Sequence, residues 1–273
     1  MTVRLPIALL VSLLLSLTGA TTVAAQGLFS LNSLQDGREW QAVGRLEIAG
    51  EAFCTGALID TNLVLTAAHC LFDAETGARV PTDQIQFLAG WSSGRAAAYR
   101  RVRRAEPHPQ YDFFGANDAG RVRVDVALLE LQHPIRNGVI VPFRTDLRPQ
   151  TGDRVGVVSY AHNRSEAPSV QDTCEVMSRQ QGVLVMSCQV DFGSSGSPVF
   201  SFASGAPRIV SVVSAKAEAN GVAVSLGTDL LEPLVAIRAV LEGQEGLSAN
   251  GISSVSRVGS AFHNDTGAKF VKP

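Results

Sequence analysis

From about Trp40 onward the chain is a succession of short apolar runs, rich in β-branched residues and interrupted every few positions by Gly, Asp, Asn or Pro. Runs at 62–66, 85–88, 126–131, 155–158, 183–186 and 209–213 are too short for helices, and their side chains suit a pleated surface. A chain built this way predicts an all-β barrel or sandwich. Turn dipeptides agree: Asn137-Gly138 and Asn220-Gly221 are strong hairpin or linker signals, the second lying between apolar runs 211–215 and 222–226. Only one stretch has helical spacing, Leu230, Leu234, Ile237 and Leu241, with Pro233 acceptable in a first turn. No internal repeat is visible, yet the strand-rich region divides near 133–139 into two halves.

The flanks are different. Arg4, an apolar run at 7–17 and the small residues Val23-Ala24-Ala25 read as a secretory signal peptide over 1–25, with the mature chain starting near Gln26. The apolar run falls short of the roughly 20 residues a membrane span needs, so the segment is expected to be cleaved, leaving no membrane attachment. Residues 26–38 are expected to be an N-terminal segment or short propeptide. Residues 243–273 are rich in Gly, Ser and Asn with few apolar anchors and predict a flexible tail or a loosely attached strip. A formal net charge of −2 gives no reason to expect a nucleic-acid partner. The expectation is a secreted or periplasmic monomer.

Cys54, Cys70, Cys174 and Cys188 all lie in the exported part, where an oxidising compartment lets them pair. Spacing leaves three connectivities open. The local one, Cys54 with Cys70 and Cys174 with Cys188, closes two short loops and is the most economical; Cys174 and Cys188 also flank the turn Gln180-Gln181-Gly182. A metal site from Cys54, His69 and Cys70 lacks the usual zinc spacing and a second Cys or His pair, so no metal is expected.

Three segments place a catalytic residue type where a short strand meets a loop: Thr66-Ala67-Ala68-His69-Cys70, Asp125-Val126-Ala127-Leu128-Leu129-Glu130-Leu131, and Gly193-Ser194-Ser195-Gly196-Ser197-Pro198. With these segments the chain resembles the chymotrypsin-like (trypsin-fold) serine proteases. The chemistry accounts for the residue types. A serine hydroxyl is a poor nucleophile at neutral pH, so His69 accepts its proton during attack and returns it to the leaving amine. Asp125 holds the imidazole tautomer and stabilises the imidazolium. The resemblance puts the backbone N–H groups of Gly193 and Ser195 where the attacked carbonyl oxygen becomes negative. The order His, Asp, Ser is that of this family, whereas α/β-hydrolases run Ser, acid, His and need Gly-x-Ser-x-Gly; here the fifth position is Ser197.

The resemblance extends over about residues 40–241. Phe53-Cys54-Thr55-Gly56-Ala57-Leu58-Ile59 precedes the histidine segment as in the family, which implies that Cys54 and Cys70 close the histidine loop. His108-Pro109-Gln110-Tyr111 is similar to a structural stretch between histidine and aspartate. Residues 209–215 are similar to the strand beside the substrate, with Ser214 where the family commonly contacts the aspartate and the substrate backbone. The implied fold is two six-stranded antiparallel β-barrels packed together with a C-terminal α-helix: a first barrel over 39–137, carrying His69 and Asp125, and a second over 138–242, carrying Ser195 and the helix. The implied function is an endopeptidase working on protein or peptide substrates through an acyl-enzyme, with no cofactor. A catalytically silent binding protein on the same fold and an exported ester hydrolase are the rivals.

Some positions depart from the digestive type. Its members carry Asp immediately before the nucleophile, where a newly cut N-terminus pairs with it; here that residue is Ser194, and no Ile-Val-Gly-Gly start is present. The Gly-x-Ser-Gly-Ser-Pro form and the Val43-Gly44-Arg45 opening are closer to the bacterial glutamyl-endopeptidase (V8-like) branch, although no histidine stands near Val213-Ser214. Six residues before Ser195 stands Gln189, not the trypsin-type Asp, and Asp191 is off register. Gln189, Ser214 and Lys216 are therefore the expected substrate contacts, with the preferred residue open. The basic cluster Arg100, Arg101, Arg103 and Arg104 reads as a solvated face, and His162 as an exposed histidine.

Overall fold

The computed structural model describes residues 29–31, 37–146, 148–243 and 268–270. Segment 1–25 and most of 26–38 and 243–273 lie outside the described residues. In chain order the strands are β1 (Phe29–Ser30), β2 (Val43–Ile48), β3 (Ala52–Asp60), β4 (Leu63–Thr66), β5 (Ile85–Ala89), β6 (Ala98–Pro107), β7 (Ala127–Leu131), β8 (Arg154–Ser159), β9 (Ser169–Gln180), β10 (Val183–Met186), β11 (Pro198–Ser201), β12 (Arg208–Ala219), β13 (Val222–Asp229) and β14 (Ala268–Phe270). Among the described residues there are two α-helices, α1 (Ala119–Arg123) and α2 (Leu231–Leu241).

The first six of these strands after β1 close into an antiparallel barrel in the order β2-β3-β4-β7-β6-β5. The second barrel runs β8-β9-β10-β13-β12-β11, and β8 closes it by pairing with both β11 and β9. β1 lies outside this barrel on β9, and β14 on β12. The all-β, two-barrel expectation therefore describes the molecule.

Closure works because alternate side chains point inward. Leu46, Leu58, Leu65, Phe87 and Leu128 fill the first barrel; Val155, Val157, Val176, Leu184, Met186 and Val210 fill the second. Each such side chain contributes about 1.5–3 kcal/mol through burial. Between the barrels Trp40, Phe143 and Phe200 make an aromatic cluster, with ring centroids 4.7 Å apart for Phe143–Phe200 and 4.9 Å for Trp40–Phe200. Helix α2 then crosses from the second barrel back onto β6 and β7 of the first. Its last turn is held by Arg104, whose Nη2 donates to the Leu241 carbonyl at 2.6 Å, so an unpaired helix-end acceptor is satisfied.

Helix α1 corrects the expectation of a single helix. Five residues are too few for an apolar period to show in sequence. The helix forms because Asp118 caps it, its Oδ1 accepting from Gly120 N at 2.8 Å and Arg121 N at 3.2 Å. Its Val122 is buried in a small cluster with Val183, Val185, Ala217, Val224 and Leu226 of the second barrel. The loop leading to Asp125 is thereby pinned to the opposite barrel.

Both cysteine pairs are the local ones: Cys54 is bonded to Cys70, and Cys174 to Cys188. No helix among the described residues is long and apolar enough to cross a membrane.

Candidate active site

Strand β4 ends at Thr66, and a 3-10 turn over Ala68–Leu71 presents His69 at the barrel rim. The Cys54–Cys70 disulfide anchors this turn to β3. Asp125 stands between α1 and β7 and is only 4 % exposed. One carboxylate oxygen, Oδ1, accepts from the His69 backbone N–H at 2.9 Å. The other, Oδ2, accepts from His69 Nδ1 at 2.7 Å and from the Ser214 hydroxyl. A carboxylate can only accept, so the ring proton facing it sits on Nδ1 and leaves Nε2 as an acceptor. Burial alone would raise the Asp125 pKa. The facing His69 ring and the hydrogen bonds from His69 and Ser214 outweigh it and hold the carboxyl below its ordinary range.

Ser195 lies on the loop between β10 and β11, with Gly193 at φ +92° and Gly196 at φ +74°. Both glycines are required twice over, by a left-handed backbone and by lack of room. A Cβ on Gly196 would stand 2.1 Å from Thr66 Oγ1 and 2.8 Å from Ala67 N; one on Gly193 would stand 2.4 Å from the Phe53 ring and 2.9 Å from Ala161 Cα. The loop is thus pressed against the segment that leads into His69. Thr55 of β3 clamps it: Thr55 N donates to Ser195 O at 2.8 Å, and Thr55 Oγ1 donates to Gly193 O at 3.0 Å. Tyr160 N in turn donates to Thr55 Oγ1 at 3.0 Å. On the far side Gly196 N donates to Val213 O and Val213 N to Ser197 O, at 2.8 and 2.9 Å. Among the described residues no hydrogen bond joins the Ser195 hydroxyl to His69; backbone contacts bring their segments together.

Ser194 is buried, where the digestive pattern has an aspartate. Its Oγ accepts from Asp191 N at 3.3 Å and Arg164 Nη2 at 3.4 Å, while Arg164 Nη1 donates to Ser159 O at 2.9 Å. Burial lowers the Arg164 pKa, opposed by Asp191. Gln189 N donates to Gln171 Oε1 at 2.8 Å, so the backbone at this position is tied inward. Lys216 Nζ lies 4.0 Å from Asp191 Oδ1, both side chains 47 % exposed. Asp191, off register by counting, is thus the partner of Lys216.

Other singled-out residues fall outside this centre or at its edge. His108 is buried; its Nδ1 accepts from Gln110 N at 3.2 Å, and burial together with Arg123 lowers its pKa. Exposed His162 lies edge-on to Phe53 at 5.5 Å, and its N donates to Phe192 O beside Gly193. In the basic cluster Arg103 pairs with Glu130, while Arg100 donates to the carbonyl of His133. Cys54, His69 and Cys70 do bring ligand-type atoms within 4.8 Å of one another, but the two cysteines are in a disulfide and offer no thiolate. Thr55, Tyr160 and Arg164 carry no motif of their own. The available signal was Thr55 inside Phe53-Cys54-Thr55-Gly56, a polar residue in an apolar strand.

The model of the trypsin-like peptidase domain matches residues 54–207, more than half of the 273-residue chain. The chain belongs to the trypsin-like peptidases. This trypsin-like peptidase is 39 % identical over 79 residues to serine protease SP24D of Anopheles gambiae, covering 29 % of this chain and 26 % of the relative. It is 29 % identical over 163 residues to serine protease 23 of Bos taurus, covering 54 % and 43 %. The peptidase therefore spans less than half the length of these curated relatives. A solved structure of a Glu endopeptidase in complex with MPD superposes with a TM-score of 0.62 at 18 % identity, over 75 % of this chain and 92 % of that one, which is a likeness of fold.

Proposed function

We propose that this trypsin-like peptidase is a secreted serine endopeptidase that cuts protein or peptide chains through an acyl-enzyme, using His69, Asp125 and Ser195. The observation that carries the reading is the buried Asp125 carboxylate, bonded by both the ring and the backbone of His69 beside the loop that presents Ser195. In this mechanism His69 Nε2 takes the Ser195 proton as Oγ attacks the scissile carbonyl. Charge builds on that oxygen, and the Gly193 and Ser195 N–H groups receive it. His69 then protonates the leaving amine, and a water activated by the same nitrogen releases the acyl group. Asp125 stays ionised throughout.

The free edge of β12 supports a role for an extended substrate. On the side away from β13, β11 covers 208–212 and Ser197 pairs with Val213. Among the described residues no strand pairs with Ser214–Lys216 on that edge, immediately beside Ser195. A peptide added there gains main-chain hydrogen bonds, with Gln189, Ser214 and Lys216 as the expected contacts. Two disulfides suit an oxidising compartment and so the secreted reading. Hydrolysis of casein and of a mixed peptide library, with products read by mass spectrometry, tests this function and reports the preferred residue. The purified chain should cut and its Ser195→Ala variant should not; turnover in that variant sinks the reading.

A further inference from the structure

The edge of β12 that lies open at Ser214–Lys216 does not stay open. At Ala217, Glu218 and Ala219 it is taken by β14, in antiparallel register with Phe270, Lys269 and Ala268. Among the described residues, one edge of one strand is therefore filled by β11 and the Ser197 segment up to Val213, open for three residues, and closed by β14 from 217. Every pairing in this sheet is antiparallel. A peptide added in the same sense, with its scissile bond at the Ser195 end, runs from the Lys216 side towards Ser214. Its residues upstream of the third would have to occupy the place β14 holds.

We propose that β14 sets the upstream limit of substrate recognition: the tail strand blocks pairing beyond three residues before the cut, making this a peptidase that reads a short stretch of its substrate's main chain. This rests on the peptidase reading given above. The argument uses only backbone pairing, so the test removes backbone donors. In an antiparallel ladder alternate residues carry the inter-strand bonds, so proline at both Lys269 and Phe270 removes a ladder N–H whichever set faces β12.

The experiment compares the full chain with its Lys269→Pro/Phe270→Pro variant on a nested peptide series sharing one cleavage site and extending three, four, five and six residues upstream. The native chain should show kcat/KM that stops rising at three residues. The variant should continue to gain, by roughly three- to tenfold between three and six, since each new main-chain bond is worth a few-fold. The comparison is a ratio within each protein, so a change in the active fraction cancels. Hydrogen exchange gives the second readout: the amides of 217–219 that face β14 should lose protection in the variant. Identical length profiles in the two proteins, a native profile that already rises past three, or unchanged protection at 217–219 would each overturn the proposal. Failure of both proteins to cut any member of the series would instead strike the peptidase reading, and the proposal with it.

Discussion

The two barrels contribute to the candidate site in different ways. The first supplies side chains that are already fixed: Asp125 is buried at the foot of β7, and its carboxylate takes two bonds from His69. The second supplies a loop, between β10 and β11, from which the proposed mechanism draws a hydroxyl and two backbone N–H donors. That loop is shaped by Gly193 and Gly196 and clamped from the first barrel by Thr55. Electrostatic order thus resides in one barrel and backbone shape in the other. The disulfide Cys54–Cys70 joins the two tasks, because Thr55 and His69 are chain neighbours of its two halves. Groups in the role proposed for these need their geometry set before substrate arrives, and here each barrel constrains the other's contribution.

The sharpest way to break this division is Asp125→Asn. It preserves shape but presents an amide where His69 requires an acceptor, so kcat should fall by roughly 10⁴ while the fold persists, as amide-for-acid exchange does in such triads. Steady-state kinetics with circular dichroism checks it. Gly193→Ala strikes the other barrel. Its Cβ would meet the Phe53 ring and Ala161 backbone, tilting the donor away, with a loss of about 10²–10³ in kcat and little change in His69. Thr55→Ala removes the link between them, a bond to Gly193 O and one from Tyr160 N. Stability should drop by roughly 1–3 kcal/mol in a urea titration, with activity falling by a smaller factor than in the two variants above, and Thr55→Ser should restore most of both.

The smallest effect concerns a second buried carboxylate. Asp229 Oδ2 accepts from Arg179 Nη2 at 2.7 Å and Arg148 Nε at 3.2 Å. Burial raises its pKa, but the bonds from Arg179, Leu231 N and Arg148 outweigh this and lower it. A depressed carboxyl pKa stabilises the fold above the unfolded value of about 3.9 and loses that contribution as pH falls through the folded value. Asp229→Asn should therefore lower the melting temperature at pH 7, and the gap from the native chain should close on acidification below about pH 4. Asp125 follows the same sign, so acid unfolding should involve both barrels.

Much of this was legible in sequence because strand length, β-branching and turn residues are local properties. Each of the six apolar runs falls on a strand, with Asn62 and Val126 just outside β4 and β7, and Leu230, Leu234, Ile237 and Leu241 mark α2, whose bounds are Leu231–Leu241. The motif letters around His69, Asp125 and Ser195 were equally visible. What stayed hidden is relational. Thr55 matters through bonds to residues more than 100 positions away, and Arg164 through a contact with Ser194; neither has a spacing to count. Counting back from Ser195 found Gln189, yet the charge facing Lys216 is Asp191, because a loop does not keep register as a strand does. Helix α1 is too short to show an apolar period, and its Asp118 cap is its local sign in the sequence.

In the proposed mechanism one hydroxyl of the second barrel is activated by one imidazole of the first. Stoichiometric labelling with an organophosphorus serine reagent, mapped by mass spectrometry on the folded chain, addresses it directly. A single adduct should form on Ser195 and disappear in His69→Ala; labelling of a different residue, or undiminished labelling of Ser195 without His69, would rule this activation out.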